Sequence, residues 1–280
     1  MIMKNKTIKA LGLIVLVVAL LTTAIVISPK VGDHTTDDPT VPVVNPNPIL
    51  TPTEAPTAAP ENGWVTENGE NHYYINGVLQ KDTVVGDDTS GYFYVDVNGA
   101  RDDGYCNGLT IDGVRWNIIE GKATPVNEND GGWDDALHSA LLDVGRCTTS
   151  DMTREEKLRA SFLYIQDDNH YLEGVLHDPP YNEMDWPVVC ANDLFKQGMG
   201  DCFSYGAAFA FYGKAIGFEN CYACNTGGHG WAEIDGKAYD PEFDMHNHEY
   251  SHYGVAPEDE NNVAYFTSIT EGVDWMYIKV

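Results

Sequence analysis

Basic residues are scarce in this chain. Sixteen lysines and arginines stand against 43 aspartates and glutamates, giving a formal charge of −27 over 280 residues. A surface of that sign repels phosphate backbones and anionic lipid headgroups. Nucleic acid is therefore excluded as a partner, and membrane contact is confined to the N-terminal segment. Metal motifs are missing as well. There is no His-Glu-x-x-His, and the one Cys-x-x-Cys, Cys221 and Cys224, has no second pair at zinc-ligand spacing. That pair falls in residues 220–225, which read as a strand and not as the helix start a redox motif needs, so burial accounts for both thiols. No cofactor pattern and no calcium loop occur, and neither a cofactor nor a metal is expected.

What is present begins with an address. Lys4, Lys6 and Lys9 precede an uncharged apolar run from Ala10 to Ser28. Residues 1–32 read as a signal peptide or a membrane anchor, and either places the rest at the cell surface or in the medium. Residues 33–62 hold half of the chain's 14 prolines and no aromatic or basic residue up to Asn62. Such a segment buries no apolar area and reads as an extended spacer. Beyond it the composition turns globular. In the whole chain, 43% of residues are hydrophobic and 11% aromatic, enough to build a core.

Residues 63–126 are rich in aromatics and punctuated by glycine. Tyr73-Tyr74-Ile75-Asn76-Gly77, Tyr92-Phe93-Tyr94-Val95 with Asn98-Gly99, and Val114-Arg115-Trp116-Asn117 with Gly121 recur near a 20-residue period. Each unit reads as a β-hairpin turning at Asn-Gly or a similar pair, and their succession predicts a small solenoid. The run from Gly63-Trp64 to Asn76-Gly77 resembles the cell-wall- and choline-binding repeats of Gram-positive surface proteins. The resemblance implies a wall polysaccharide or choline as ligand; packing between hairpins is the alternative use of the same rings.

Residues 127–280 carry 28 acidic and 8 basic residues, a balance of −20. Helices are predicted over 134–144, 153–167 and 203–216. Thr153 and Glu156 form a capping box for the second, and Gly217 stops the third. Cys202 heads that third helix after the loop Gly198-Met199-Gly200-Asp201. A thiol there meets the positive end of the helix dipole, which favours a thiolate. Strands follow over 229–234 and 237–240, joined by Asp235-Gly236, a pair suited to a two-residue type I′ turn. That turn pairs Ile234 with Lys237, Glu233 with Ala238, Ala232 with Tyr239 and Trp231 with Asp240. His229 and Asp240 then become diagonal neighbours on one face. An imidazole oriented by a carboxylate keeps its second nitrogen for a thiol proton. The same register carried one step further sets Glu242 opposite His229.

These segments, Gly200-Asp201-Cys202-Phe203-Ser204-Tyr205, His229-Gly230-Trp231-Ala232-Glu233 and Tyr239-Asp240-Pro241, together resemble the bacterial transglutaminase-like core. That core shares its architecture with papain-like cysteine proteases. The resemblance implies an α+β fold in which the nucleophile helix packs on an antiparallel sheet, and a Cys202–His229–Asp240 triad. The expected activity is that of an exported peptidase or amidase working through an acyl-enzyme on a protein or peptide substrate. A cross-linking transglutaminase is the alternative, and a non-catalytic wall-binding or adhesion protein is the alternative of another class. The oxyanion hole is expected to use the Cys202 N–H with Gln197 or Asn192. Asp244, His246, His248 and His252 form a competing histidine-rich constellation, weighed as a metal site and set below a solvated loop.

Overall fold

The computed structural model describes residues 61–247, 249–259 and 275–280. The leader, nearly all of the spacer and His248 lie outside them. Short hairpins come first. Strands β1 (Asn62–Glu67), β2 (Glu70–Ile75) and β3 (Val78–Leu79) form one antiparallel sheet. Strands β4 (Thr83–Asp87), β5 (Gly91–Val95), β6 (Asn107–Ile111), β7 (Val114–Ile119) and β8 (Lys122–Pro125) form a second, in the order β4-β5-β8-β7-β6. Asn68-Gly69, Asn76-Gly77, Asp112-Gly113 and Glu120-Gly121 all have positive φ at both positions, as a type I′ turn requires. Asn98-Gly99 serves differently. Asp96 gathers the N–H groups of Asn98 at 2.9 Å and Ala100 at 2.8 Å, an Asx-type turn and not a two-residue hairpin. The hairpins do not stand apart, because β8 pairs with both β5 and β7.

The remaining residues are built around one helix. Helix α1 (Trp133–Cys147) and helix α2 (Arg154–Ile165) precede the short strand β9 (Leu172–Glu173) and helix α3 (Trp186–Asn192). A π-turn, Asp193–Gln197, leads to β10 (Met199–Gly200), which pairs with β9 in parallel, and then to helix α4 (Cys202–Ile216). Strands β11 (Cys221–Asn225), β12 (Gly230–Ile234) and β13 (Lys237–Tyr239) follow, then helix α5 (Pro241–His246) and strands β14 (Tyr253–Val255) and β15 (Met276–Lys279). The last five strands make one antiparallel sheet, β14-β13-β12-β11-β15. The architecture is α+β with mainly antiparallel sheets. No described helix is long and apolar enough to cross a membrane.

Helix α4 is apolar all round and lies between this sheet and helices α1, α2 and α3. Asp201 caps it by accepting from Phe203 N at 3.1 Å and Ser204 N at 3.3 Å, and Gly217 ends it at φ 104°. Two glycines set how near it comes to the sheet. A Cβ on Gly206 would lie 2.7 Å from the Trp231 backbone, and one on Gly230 would lie 2.7 Å from Phe203 Cα. Both contacts are too close for any side chain. The strand that starts next to His229 is thereby seated against the helix end that carries Cys202.

Two segments depart from the expectation. Residues 241–246 were expected as loop and form α5. The Asp240 side chain accepts from Phe243 N at 3.0 Å and Pro241 occupies the first turn, so Asp-Pro is the start signal. Helix α3 has no apolar periodicity long enough to announce it, and its first residue, Trp186, is wholly buried.

Candidate active site

Cys202 is the first residue of α4 and half-buried. Its N–H lies in the first turn, where no intrahelical carbonyl is available. The β12–β13 turn has the predicted type I′ form, with Asp235 at φ 48° and Gly236 at φ 76°. Ile234 pairs with Lys237, Glu233 with Ala238 and Ala232 with Tyr239, as the register requires. The ladder ends there. Asp240 leaves it to cap α5, so Trp231 and Asp240 do not pair, and Glu242 sits on the helix and not opposite His229.

The diagonal contact nevertheless forms. His229 Nε2 and Asp240 Oδ2 are 2.5 Å apart, and both side chains are nearly buried. The other carboxylate oxygen holds the α5 cap, so the helix fixes the orientation of Asp240 and Asp240 fixes the imidazole. The ring also stands parallel to Trp231 at 6.4 Å, with Phe243 edge-on at 6.3 Å. Nε2 is committed to Asp240, and the Cys202 side chain acts on the same ring. Burial works against a charged ring here. The Asp240 carboxylate, its hydrogen bond and the Cys202 side chain outweigh it and push the imidazole up to about 10.

Burial pushes Cys106, Cys147, Cys190, Cys221 and Cys224 upward, Cys221 to about 12. None of the described cysteines forms a disulfide. Cys221 and Cys224 are a buried strand pair on opposite faces of the sheet.

The proposed oxyanion donors part company. Gln197 lines a depression of about 480 Å³ with Arg146, Tyr164, Asn169 and His170, and Cys202 is not part of that wall. Asn192 closes α3, and its Oδ1 is buried without a partner. Among the described residues of the histidine-rich constellation, Asp244, His246 and His252 do not gather into one metal-ligand group, and His248 lies outside the described residues. Asp244 accepts from Gln166 Nε2 at 3.0 Å and His252 N at 2.7 Å, whereas His246 Nε2 turns to Glu173 at 2.8 Å. The His252 ring packs edge-on against Phe243 at 4.6 Å. The described group with metal-ligand geometry is another one, Glu173, Glu242 and His246, whose donor atoms lie within 4.8 Å of one another. The His246–Glu173 ion pair accounts for it without a metal.

The site has two more neighbours: Glu242, which stands on α5 and not across the ladder as the register set it, and Tyr181, which sequence reading missed. Burial, with Asp240 and Glu173 nearby, pushes the Glu242 carboxyl up to about 6, against the pull of His229 and His246. Tyr181 faces Phe203 at 6.1 Å, and its carbonyl accepts from Asn225 Nδ2 at 3.3 Å, which brings the 174–185 loop to the β11 end. No periodicity marks that loop; the signal that was available is a tyrosine after two prolines. No protein-family model, curated protein or solved structure matches the chain.

Proposed function

We propose that this chain is a cysteine-nucleophile enzyme with a transglutaminase-like, papain-like core that attacks amide bonds through an acyl-enzyme. One observation carries the reading: a buried imidazole bound to a carboxylate and influenced by the side chain of a cysteine at a helix N-terminus. Each part has a chemical task. The Cys202 thiolate adds to the substrate carbonyl, and the oxyanion meets the Cys202 N–H. The His229 imidazolium gives a proton to the departing amine, and a thioester remains on Cys202. Neutral His229 then takes a proton from water as that water attacks the thioester, the acid leaves, and the thiolate–imidazolium pair is restored. Asp240 keeps its charge throughout and stabilises the imidazolium.

Water is the acyl acceptor in this reading. Only Thr226, Gly227 and Gly228 separate β11 from His229, so this connection lays no long loop over the thioester. The basic n-region and apolar run support placement outside the cell, and the aromatic hairpins support attachment to wall saccharide or choline. The substrate is a protein or peptide. Brief iodoacetamide labelling with peptide mapping tests the nucleophile: Cys202 is labelled first, and earlier labelling of any of the other five thiols overturns the assignment. Offering a glutamine peptide with millimolar dansylcadaverine tests the acceptor, with acid release expected to exceed amine incorporation.

A further inference from the structure

Alternation along β12 divides its side chains between two faces. Ala232 and Ile234 enter the core beneath α4, while His229, Trp231 and Glu233 point to the outer face. The outer face also takes Tyr222 and Cys224 from β11 and Tyr277 from β15. The register places Tyr222 beside Glu233, and Cys224 between Trp231 and Tyr277. Trp275 packs edge-on against Trp231 at 5.2 Å and stacks with Tyr277 at 5.9 Å. Trp275 and Tyr277 are 39% and 41% exposed, so this aromatic pair meets solvent on the same face as the imidazole.

Glu233 is the one acid in that row. It is half-buried, and among the described residues its carboxylate makes neither a hydrogen bond nor an ion pair. Burial alone pushes its carboxyl upward; no cation offsets it. Lys279 stands beyond Tyr222 in the same cross-strand row, two strand spacings or about 10 Å away, and does not pair with it. The negative charge reaches the Tyr277 hydroxyl, whose pKa it helps to raise after burial and Cys224. A half-buried carboxylate without a donor, set beside exposed aromatic rings, lacks one thing: a cation that satisfies both.

We propose that the outer sheet face at Glu233, Tyr222, Trp275 and Tyr277 is a substrate subsite for an organic cation, the side chain of a lysine or arginine in the peptide being cut. The inference rests on the acyl-enzyme reading of Cys202 and adds the class of substrate. The cation is held there and not consumed. His229 and Glu233 lie four residues apart on one strand face, about 13 Å at ~3.3 Å per residue. An extended peptide advances by a similar step, so the basic residue sits about four residues from the scissile amide, or roughly one or two fewer where its long stem reaches back. The acidic balance of residues 127–280 draws such peptides in, and the outer face selects among them.

Binding tests this without turnover. The full chain carrying Cys202→Ala is titrated with acetylated, amidated alanine hexapeptides that contain one glutamine and, at increasing distance from it, one lysine or its uncharged counterpart norleucine. Intrinsic tryptophan fluorescence reads the binding. The lysine peptides are expected to bind at least about tenfold tighter than the norleucine peptides, best at a spacing of about two to four residues. A further Glu233→Gln change removes most of that preference, and Tyr277→Leu weakens it. Equal affinity of the two series overturns the proposal, and so does a lysine preference that survives Glu233→Gln. Failure of Cys202 to label or acylate overturns the catalytic reading instead, and leaves the binding result to stand by itself.

Discussion

Helix α4 buries thirteen of its fifteen residues. The five-stranded sheet β4–β8 closes on a small cluster of three buried apolar residues, Tyr94, Ile118 and Ala123, ringed by partly buried hydrophobic side chains. The two regions use glycine for different reasons. Gly77 has φ 73° and open space where a Cβ would be, so backbone conformation demands it. Gly206 is helical and has backbone atoms of Trp231 where a Cβ would be, so packing demands it. Hairpins that rest on turn chemistry tolerate adjustment of their surroundings. A site that rests on a helix pressed against a strand does not, because a few tenths of an ångström move the thiol relative to the imidazole.

The sharpest break in this comparison comes from the charge that the helix–sheet region holds and the hairpins lack. Asp240→Asn keeps a side chain able to cap α5, so the fold and the melting temperature should change little. It removes the charge that supports imidazolium, and kcat/KM for amide cleavage should fall about 10³–10⁴-fold. Steady-state kinetics beside a thermal melt checks both halves. A stable variant with undiminished activity would show that Asp240 is only a cap.

Next in size is the packing contact itself. Gly206→Ala should destabilise by about 1–3 kcal/mol, since backbone and not a flexible side chain blocks the new methyl group. Activity should fall with it as β12 is displaced from α4. Gly77→Ala, in the hairpins, should cost about 1 kcal/mol for its positive φ and leave activity alone. Urea titrations of both variants, with activity measured below the transition, set the two uses of glycine side by side.

How much of this was legible follows the same division. The type I′ turns, the capping box of α2 and the β12–β13 register are local, each written in a few adjacent residues; that register brings Asp240 toward His229, and the α5 cap, which the register does not contain, completes the contact. Helix α5 was written locally as well, in Asp240-Pro241, but the aspartate had a second role that drew the reading toward a strand end. Other features were out of reach. That β15 adds to β11, that Glu173 comes to α5, and that the hairpins merge through β8 all depend on long-range pairing that no periodicity encodes. The nearness of α4 to β12 depends on two glycines whose reason is spatial, while in the sequence Gly206 reads only as a weak point in a helix.

A third prediction turns on pH. The folded-state value of Glu242, about 6, lies above the ordinary glutamate value of 4.5, so folding favours the protonated acid. That contribution is fully present below about pH 4.5 and is lost as pH rises through 6. Glu242→Gln should therefore match the parent near pH 4 and be more stable by roughly 1 kcal/mol at pH 8, allowing for partial solvent screening. Melting temperatures across pH 4–8 give the answer, and a difference that does not vary with pH would place the crowding of Asp240, Glu173 and Glu242 outside the energetics of the fold.

The smallest effect is expected where the two regions meet. Arg154, at the start of α2, holds Glu120 of the β7–β8 turn with two hydrogen bonds of 2.6 Å. The geometry is bidentate, but the side chains are 49% and 39% exposed. Water and salt compete for both partners, and ordering two long side chains offsets much of the attraction. Lys157 makes a second link, donating to the Gly104 carbonyl, and it is 3% exposed. Removing that donor strands a half-buried acceptor, whereas removing Arg154 returns Glu120 to water. Arg154→Gln should accordingly cost about 0.5 kcal/mol at low salt and less at 1 M salt, with activity unchanged. Lys157→Met should cost about 1–3 kcal/mol at either salt concentration. If the two substitutions prove equal, and equally sensitive to salt, then the hairpins are held to α2 by surface charge, and the buried lysine contributes no more than its exposed neighbour.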